Sequence, residues 1–398
     1  MEDYALILTF CGALVLAFVF GFAAHRLRLS PIVGYLLAGV AVGPFTPGFV
    51  GDSGLALQLA EIGVILLMFG VGLKFSLEDL WAVRGIALPG AIVQMTAATL
   101  LGYIAGQMFG LPPAESVMLG FSLSVASTVV LLRALEDRKI VKSENGRICV
   151  GWLVVEDLVI IFAIVILPQF AGLGQGASLD PLQMASAMAM TLLKVGVFVA
   201  LMVFVGGRFF PWLIVRVAHT KSRELMSLGT IALAVGLAMT AYFLFEASFA
   251  LGAFLAGVVL NGTKFTHRVA EDSQPLRDTF AVLFFVSVGM LFDPTTLLRA
   301  PLETAAVVAI IILGKGVAAF AIAKLFRRPT ETAILVAVAL AQIGEFSFVL
   351  AGMGLKYDLL SPETYNLVLG GAIISIALNP LLFKLARTSP AALKPAET

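Results

Sequence analysis

The stretch Gly34-Tyr35-Leu36-Leu37-Ala38-Gly39-Val40 returns 218 residues later as Gly252-Ala253-Phe254-Leu255-Ala256-Gly257-Val258. A second pair follows at nearly the same offset. Leu66-Leu67-Met68-Phe69-Gly70-Val71-Gly72-Leu73-Lys74-Phe75 resembles Leu283-Phe284-Phe285-Val286-Ser287-Val288-Gly289-Met290-Leu291-Phe292, 217 residues on. One such match is within reach of chance in Gly/Leu/Val-rich text; two at matched offsets point to an internal duplication. What the duplication means depends on how often the chain crosses a bilayer between the copies.

The composition makes lipid the solvent. Of 398 residues, 60% are hydrophobic and 13% charged, with a mean hydropathy of +1.02. A soluble domain is nearer half apolar and a quarter charged, and cannot hide this much apolar surface from water. A soluble enzyme, a nucleic-acid binder and a disordered regulator are thereby excluded, and a net charge of +1 suggests no polyanionic partner. About 20 helical residues cross a hydrocarbon core of ~30 Å. Runs of that kind lie at 4–24, 31–47, 54–73, 85–108, 113–135, 147–169, 184–208, 224–244, 247–262, 276–292, 302–324, 331–355 and 364–385, which predicts thirteen spans. The runs are continuous rather than alternating, so no β-barrel is indicated.

The loops sort by charge. One set, with the C-terminal end, carries 22 of the 26 Lys and Arg residues, and the opposite set carries only Arg299 and Lys356. By the positive-inside rule the N-terminus is outside and the C-terminus cytoplasmic, which requires an odd number of spans. Thirteen satisfies it. The repeated motifs then pair span 2 with span 9 and span 3 with span 10. A shift of seven spans turns the second copy over in the membrane. That is the inverted repeat of secondary transporters (spans 1–6 and 8–13), with a site expected near the midplane. Cys11 and Cys149 make no disulfide framework, and His25, His219 and His267 are too scattered for a His/Cys metal cluster.

Charges in mid-membrane are the informative residues. Each costs about 2.5–3.5 kcal/mol at a helix centre, so it is rare unless paired or functional. Glu156 and Asp157 fall at the middle of span 6, Lys315 just past the middle of span 11, and Glu345 at the middle of span 12. Three acids and one base, if they converge, leave a surplus that attracts cations. One Lys–carboxylate pair could fix packing alone, but it cannot absorb three acids. Adjacent helical residues point ~100° apart, so one of Glu156 and Asp157 should line a path while the other meets a neighbouring helix. The repeat offset carries Ser127 and Thr128 of span 5 onto Gly344 and Glu345 of span 12. Ser124, Ser127, Thr128, Gln342 and Glu345 put polar groups at half depth there, where a helix can unwind and turn carbonyls toward an ion. Glu61 suits a vestibule or a packing role, Glu246 a wet outer end, and Lys194 can snorkel.

The strings Gly34–Pro44, Glu61-Ile-Gly-Val-Ile-Leu-Leu-Met-Phe69, Ser127-Thr128, Glu156-Asp157, Phe284-Phe-Val-Ser-Val-Gly-Met290 and Gln342-Ile-Gly-Glu-Phe346 resemble the monovalent cation:proton antiporter-2 family. Within it the chain is similar to the Kef-type potassium/proton antiporters and their YbaL-like branch. The resemblance implies an all-α, polytopic, sodium/proton-antiporter-like fold with spans 5 and 12 crossed and interrupted. It implies a dimerisation scaffold (1–75 and 224–292), a mobile core (85–169 and 302–385), a linker helix (184–208) and a tail (386–398). Asp157 would match the family's ion- and proton-binding aspartate, and Glu156 would stand where Kef proteins carry Gln. Lys315 would match a basic charge partner of that preceding position, and Glu345 the acid of the Gly-Glu-Phe motif. Kef-type chains usually continue into a cytoplasmic RCK (KTN) nucleotide-binding domain, for which no Gly-x-Gly-x-x-Gly fingerprint is present here.

The combined expectation is a bacterial inner-membrane, homodimeric antiporter exchanging a monovalent cation, potassium first, for protons by alternating access of an elevator type. Ion and proton would compete at Asp157, with Glu156, Ser127, Thr128, Gln342 and Glu345 around it and no catalytic residue or bound cofactor. Partners would be the bilayer and an RCK/KTN domain or regulatory subunit, not nucleic acid. A sodium/proton exchanger of the same fold and a gated potassium channel are the alternatives; the channel would need a carbonyl-lined filter, and no Thr-Val-Gly-Tyr-Gly is present.

Overall fold

The computed structural model describes residues 5–47, 51–74, 77–141, 143–170, 181–261 and 266–385; the tail at 386–398 lies outside them. The described part is helical throughout. The first half holds α1 (Ala5–Arg26), α2 (Pro31–Val42), α3 (Ser53–Lys74), α4 (Leu77–Met108), α5 (Pro113–Ser124), α6 (Thr128–Asp137) and α7 (Glu144–Ile166). Next come α8 (Pro181–Leu201) and α9 (Gly207–His219), joined without a gap by the π turn Met202–Gly206. The second half runs α10 (Arg223–Phe245), α11 (Phe249–Leu260), α12 (Thr266–Met290), α13 (Thr296–Arg299) and α14 (Pro301–Ala309). A second π turn at Ile310–Gly314 leads into α15 (Lys315–Leu325), α16 (Thr330–Leu340), α17 (Glu345–Lys356) and α18 (Pro362–Leu385).

Among the described residues eight helices are long and apolar enough to cross a membrane, and α16 with α17, bent by 41° at their break, make a ninth; α2 and α11 are shorter apolar helices. This is a multi-pass membrane protein. Hydropathy located the apolar middle of each helix but not its ends. α4 starts at Leu77 rather than 85, α12 at Thr266 rather than 276, and the helix through 184–208 continues to His219. Backbone hydrogen bonding carries a helix on into the polar interface, where apolar composition stops.

Starts follow local chemistry. The hydroxyls of Ser30, Ser143, Ser222 and Ser248 accept amides in the first turns of α2, α7, α10 and α11. Pro31, Pro113 and Pro301 occupy first-turn positions that lack an amide partner anyway.

The helices pack in two groups. In one, α3 lies against α11 and α12, α2 against α1 and α12, and α10 against α11; in the other, α4 lies against α5, α7 and α15, α15 against α16, and α14 against α18. The repeated glycines lock the first group. A Cβ on Gly39 would lie 2.0 Å from the Val286 carbonyl and 2.8 Å from Gly289 Cα, and one on Gly72 would lie 2.1 Å from the Phe254 carbonyl and 3.0 Å from Gly257 Cα. Only glycine lets these backbones approach so closely. The contacts are reciprocal. Gly39 and Gly257 are equivalent in the repeat, as are Gly72 and Gly289, and each motif meets the other motif of the opposite copy.

Candidate functional site

Two helices are interrupted, at Val125–Ser127 between α5 and α6 and at Ala341–Gly344 between α16 and α17, and the interruptions touch. Breaking a helix in lipid frees amides and carbonyls that must find partners. Here the other break supplies many of them. The Gln342 side chain accepts from the Ser127 amide at 3.0 Å and donates to the Ser127 carbonyl at 3.1 Å. The Ser347 hydroxyl donates to the Val125 carbonyl at 3.3 Å. Gly344 is extended (φ −136°), and its need is space: a Cβ would lie 2.3 Å from Ser127 Cβ.

The charged residues reach this region from three further directions. From α7, Glu156 Oε2 accepts the Ala126 amide at 2.8 Å, and Asp157 Oδ2 accepts the Thr128 hydroxyl at 3.0 Å. Both acids therefore serve the same interruption. Glu156 meets the extended segment itself and Asp157 the first residue of α6, partners two residues apart in the chain. At the first turn of α17, Glu345 Oε2 accepts the Ser127 hydroxyl at 2.9 Å. Exposure is 0% at Glu156, 4% at Asp157 and 2% at Glu345. One oxygen of each, Glu156 Oε1, Asp157 Oδ1 and Glu345 Oε1, has no hydrogen-bond partner among the described residues.

Lys315 is fully buried and enters just after the π turn of its helix. Its ammonium donates to the Gln342 carbonyl at 2.9 Å, on the side of the second break next to the end of α16. Among the described residues no carboxylate lies within 4.0 Å of it. The four charges thus surround one crossing rather than meeting at a point. No three His, Cys, Asp or Glu groups among the described residues could hold a metal together.

Two contributors carry no charge and were not singled out in the sequence. Gln94 of α4, 0% exposed, donates to the Ser124 carbonyl at 3.1 Å. Asn379 of α18, 1% exposed, donates to the Val338 carbonyl at 3.0 Å. Their signal was amide side chains in apolar spans, which a search for charge passes over.

A cavity of about 560 Å3 opens between the two helix groups, on the side of the loops poor in basic residues. Glu61, Glu246 and Lys356 line it, and Phe348, one turn beyond Glu345, forms a wall; none of the three buried acids does. Phe284, Phe285 and Phe348 gather there with ring centroids 5.3–6.5 Å apart. Lys194 does not snorkel free but pairs with Glu246 at 2.7 Å.

With that geometry in place, comparison with known proteins is informative. The family model described as sodium/hydrogen exchanger, transmembrane, matches residues 13–385. The chain is 55% identical over 380 residues to the protein named putative cation/proton antiporter YbaL of Escherichia coli, covering 96% of this chain and 68% of that one. It is 31% identical to the glutathione-regulated potassium-efflux system protein KefC of Klebsiella pneumoniae, over 91% of this chain and 57% of that one. It is 32% identical to K(+) efflux antiporter 4 of Arabidopsis thaliana, over 89% of this chain and 59% of that one. The chain thus spans little more than half the length of the last two. Among solved structures, the sodium proton antiporter MjNhaP1 of Methanocaldococcus jannaschii superposes with a TM-score of 0.75 at 17% identity, covering 97% of this chain and 99% of that one. That likeness is one of fold.

Proposed function

Because the chain belongs to the sodium/hydrogen exchanger family, in its Kef-type cation/proton antiporter branch, we propose that it exchanges potassium for protons at Asp157. The family consists of transporters rather than enzymes. The observation that carries the site is the buried Asp157 carboxylate, with Oδ2 held by the Thr128 hydroxyl and Oδ1 without a hydrogen-bond partner among the described residues, beside the paired breaks. Monovalent alkali cations are hard and take oxygen ligands. Asp157 Oδ1, the Thr128 hydroxyl and carbonyls freed at the interruptions are oxygens of that kind. A proton needs the same lone pairs of Asp157. One carboxylate that takes either species and not both couples the two fluxes without ATP.

Thirteen spans in an inverted repeat are supported by the apolar runs, the loop charges and the reciprocal glycine contacts. The α5/α6 and α16/α17 pairs would be the crossed helices. The group containing α1–α3 and α10–α12 would be the scaffold and dimer surface, and the group containing α4–α7 and α14–α18 the moving core, with α8–α9 between. The basic loops support a cytoplasmic C-terminus, where a regulatory domain or subunit would act, in a protein of the bacterial inner membrane. Sodium in place of potassium is the alternative that the likeness to MjNhaP1 keeps in view.

The test is exchange in proteoliposomes carrying a pH-sensitive dye, with each cation added in turn. Asp157→Asn is expected to abolish exchange while the folded protein is retained; normal exchange by that variant would sink the reading. Saturable, proton-coupled flux separates an exchanger from a channel.

A further inference from the structure

At the opposite, basic end, three helices of one group open a second cavity of about 460 Å3. Its floor is apolar: Ile86 of α4 and Ile148 of α7 are 3% and 1% exposed. Its rim is charged. Arg328, just past α15, donates to Glu144 at 2.7 Å, leaving much of the Glu144 side chain in the open. Arg147, one turn along α7, is exposed and has no side-chain partner among the described residues. Phe326 completes the wall.

The depth of the cavity matters. The apolar spans that border it begin at Val83 and Glu144 and end at Leu325, so its rim lies where hydrocarbon gives way to headgroups. Arg84 stacks on the exposed Trp81 at 4.2 Å beside it, an aromatic and basic pairing that suits a bilayer interface. Glu144 balances Arg328, and one positive charge is left over, on Arg147.

We propose that this cavity binds the headgroup of an anionic glycerophospholipid with a hydroxylated headgroup, of phosphatidylglycerol chemistry. Arg147 takes the phosphodiester, and the open carboxylate of Glu144 accepts headgroup hydroxyls. Basic pockets between spans on the cytoplasmic side are a known form of lipid site. The inference stands apart from the choice of transported cation. All the lining elements belong to the group holding Asp157, so a bound lipid would travel with that group.

The experiment uses the full chain in phosphatidylcholine nanodiscs titrated with phosphatidylglycerol, phosphatidate or phosphatidylethanolamine. It reads lipid retention by native mass spectrometry and the unfolding midpoint. Phosphatidylglycerol is expected to be retained preferentially and to raise the midpoint. Loss of one near-surface charge contact should weaken its retention about fivefold in Arg147→Ala, with partial recovery in Arg147→Lys. Glu144→Gln should narrow the preference over phosphatidate. Arg216→Ala, whose guanidinium stacks on Trp212 outside the cavity, should change little. Equal weakening by Arg147→Ala and Arg216→Ala would overturn the proposal, because it would mean diffuse charge attraction. Displacement of the lipid by soluble glycerol 3-phosphate at equal concentration would overturn it too, since the site would then be one for free phosphate.

Discussion

Lys315 shows how a buried charge is held without a close counter-ion. Its ammonium is tied to the Gln342 carbonyl, an acceptor exposed only because the helix is broken there. Lys315→Met would leave that carbonyl buried without this donor, a loss of about 1–3 kcal/mol, expected as a lowered unfolding midpoint in detergent. Gly344 is limited by volume rather than by charge. Gly344→Ala must push Ser127 away, so exchange is expected to fall at least tenfold, whereas Gly236→Ala, where a Cβ meets nothing within 4 Å, should keep wild-type exchange in the same assay. Outside the membrane, Asp293 accepts the hydroxyl of Thr295 at 2.7 Å and its amide at 2.9 Å, which holds its carboxyl below the usual value. A carboxyl depressed in the folded state stabilises above its unfolded value, near ~4, and stops doing so as pH falls through the folded value. The turn between α12 and α13 should therefore keep its amide protection at neutral pH and lose it below about pH 4, as read by hydrogen exchange.

At the scale of elements, the π turn Ile310–Gly314 sets where Lys315 points. A π turn carries one residue more than the α-helix it interrupts. Inserting one alanine after Gly314 would turn Lys315 and the helix beyond it by ~100° against the segment before it. Exchange is expected to be lost while the protein stays in the membrane, measured by transport alongside surface expression. This element was not legible in the sequence, since a π turn has the same apolar composition as the helix around it. The interruptions were legible for another reason. The offset of 217 laid Ser127 over Gly344, and polar side chains at half depth stood out against Leu and Val. The mode of their satisfaction was not legible, because Gln342 facing Ser127 is a relation between residues 215 positions apart.

Among the described residues, Glu156, Asp157 and Glu345 are closed off from solvent. The cavity lined by Glu61 and Glu246 stops at the phenylalanine cluster, and Asp157 is 4% exposed. If the two helix groups slide to alternate access, a cysteine at Gly352, which lines the cavity, should react with a membrane-impermeant thiol reagent from one side only. Its rate should change when the cation gradient is reversed. The background is simple, as Cys149 is buried and Cys11 can be replaced by Ser. At this scale composition alone identified the solvent, because it is a sum over many residues. The grouping of helices rests on tertiary contacts, which no local pattern carries.

The reciprocal glycine seam bears on descent. Gly39 meets Gly289, and Gly72 meets Gly257, so each half of the chain holds both partners of the interlock. A half-length ancestor with one copy of each motif would already have possessed the complete joint. It could have paired with an upside-down twin before any gene fusion joined the two. On that descent, fusion would only have tethered a joint already self-complementary.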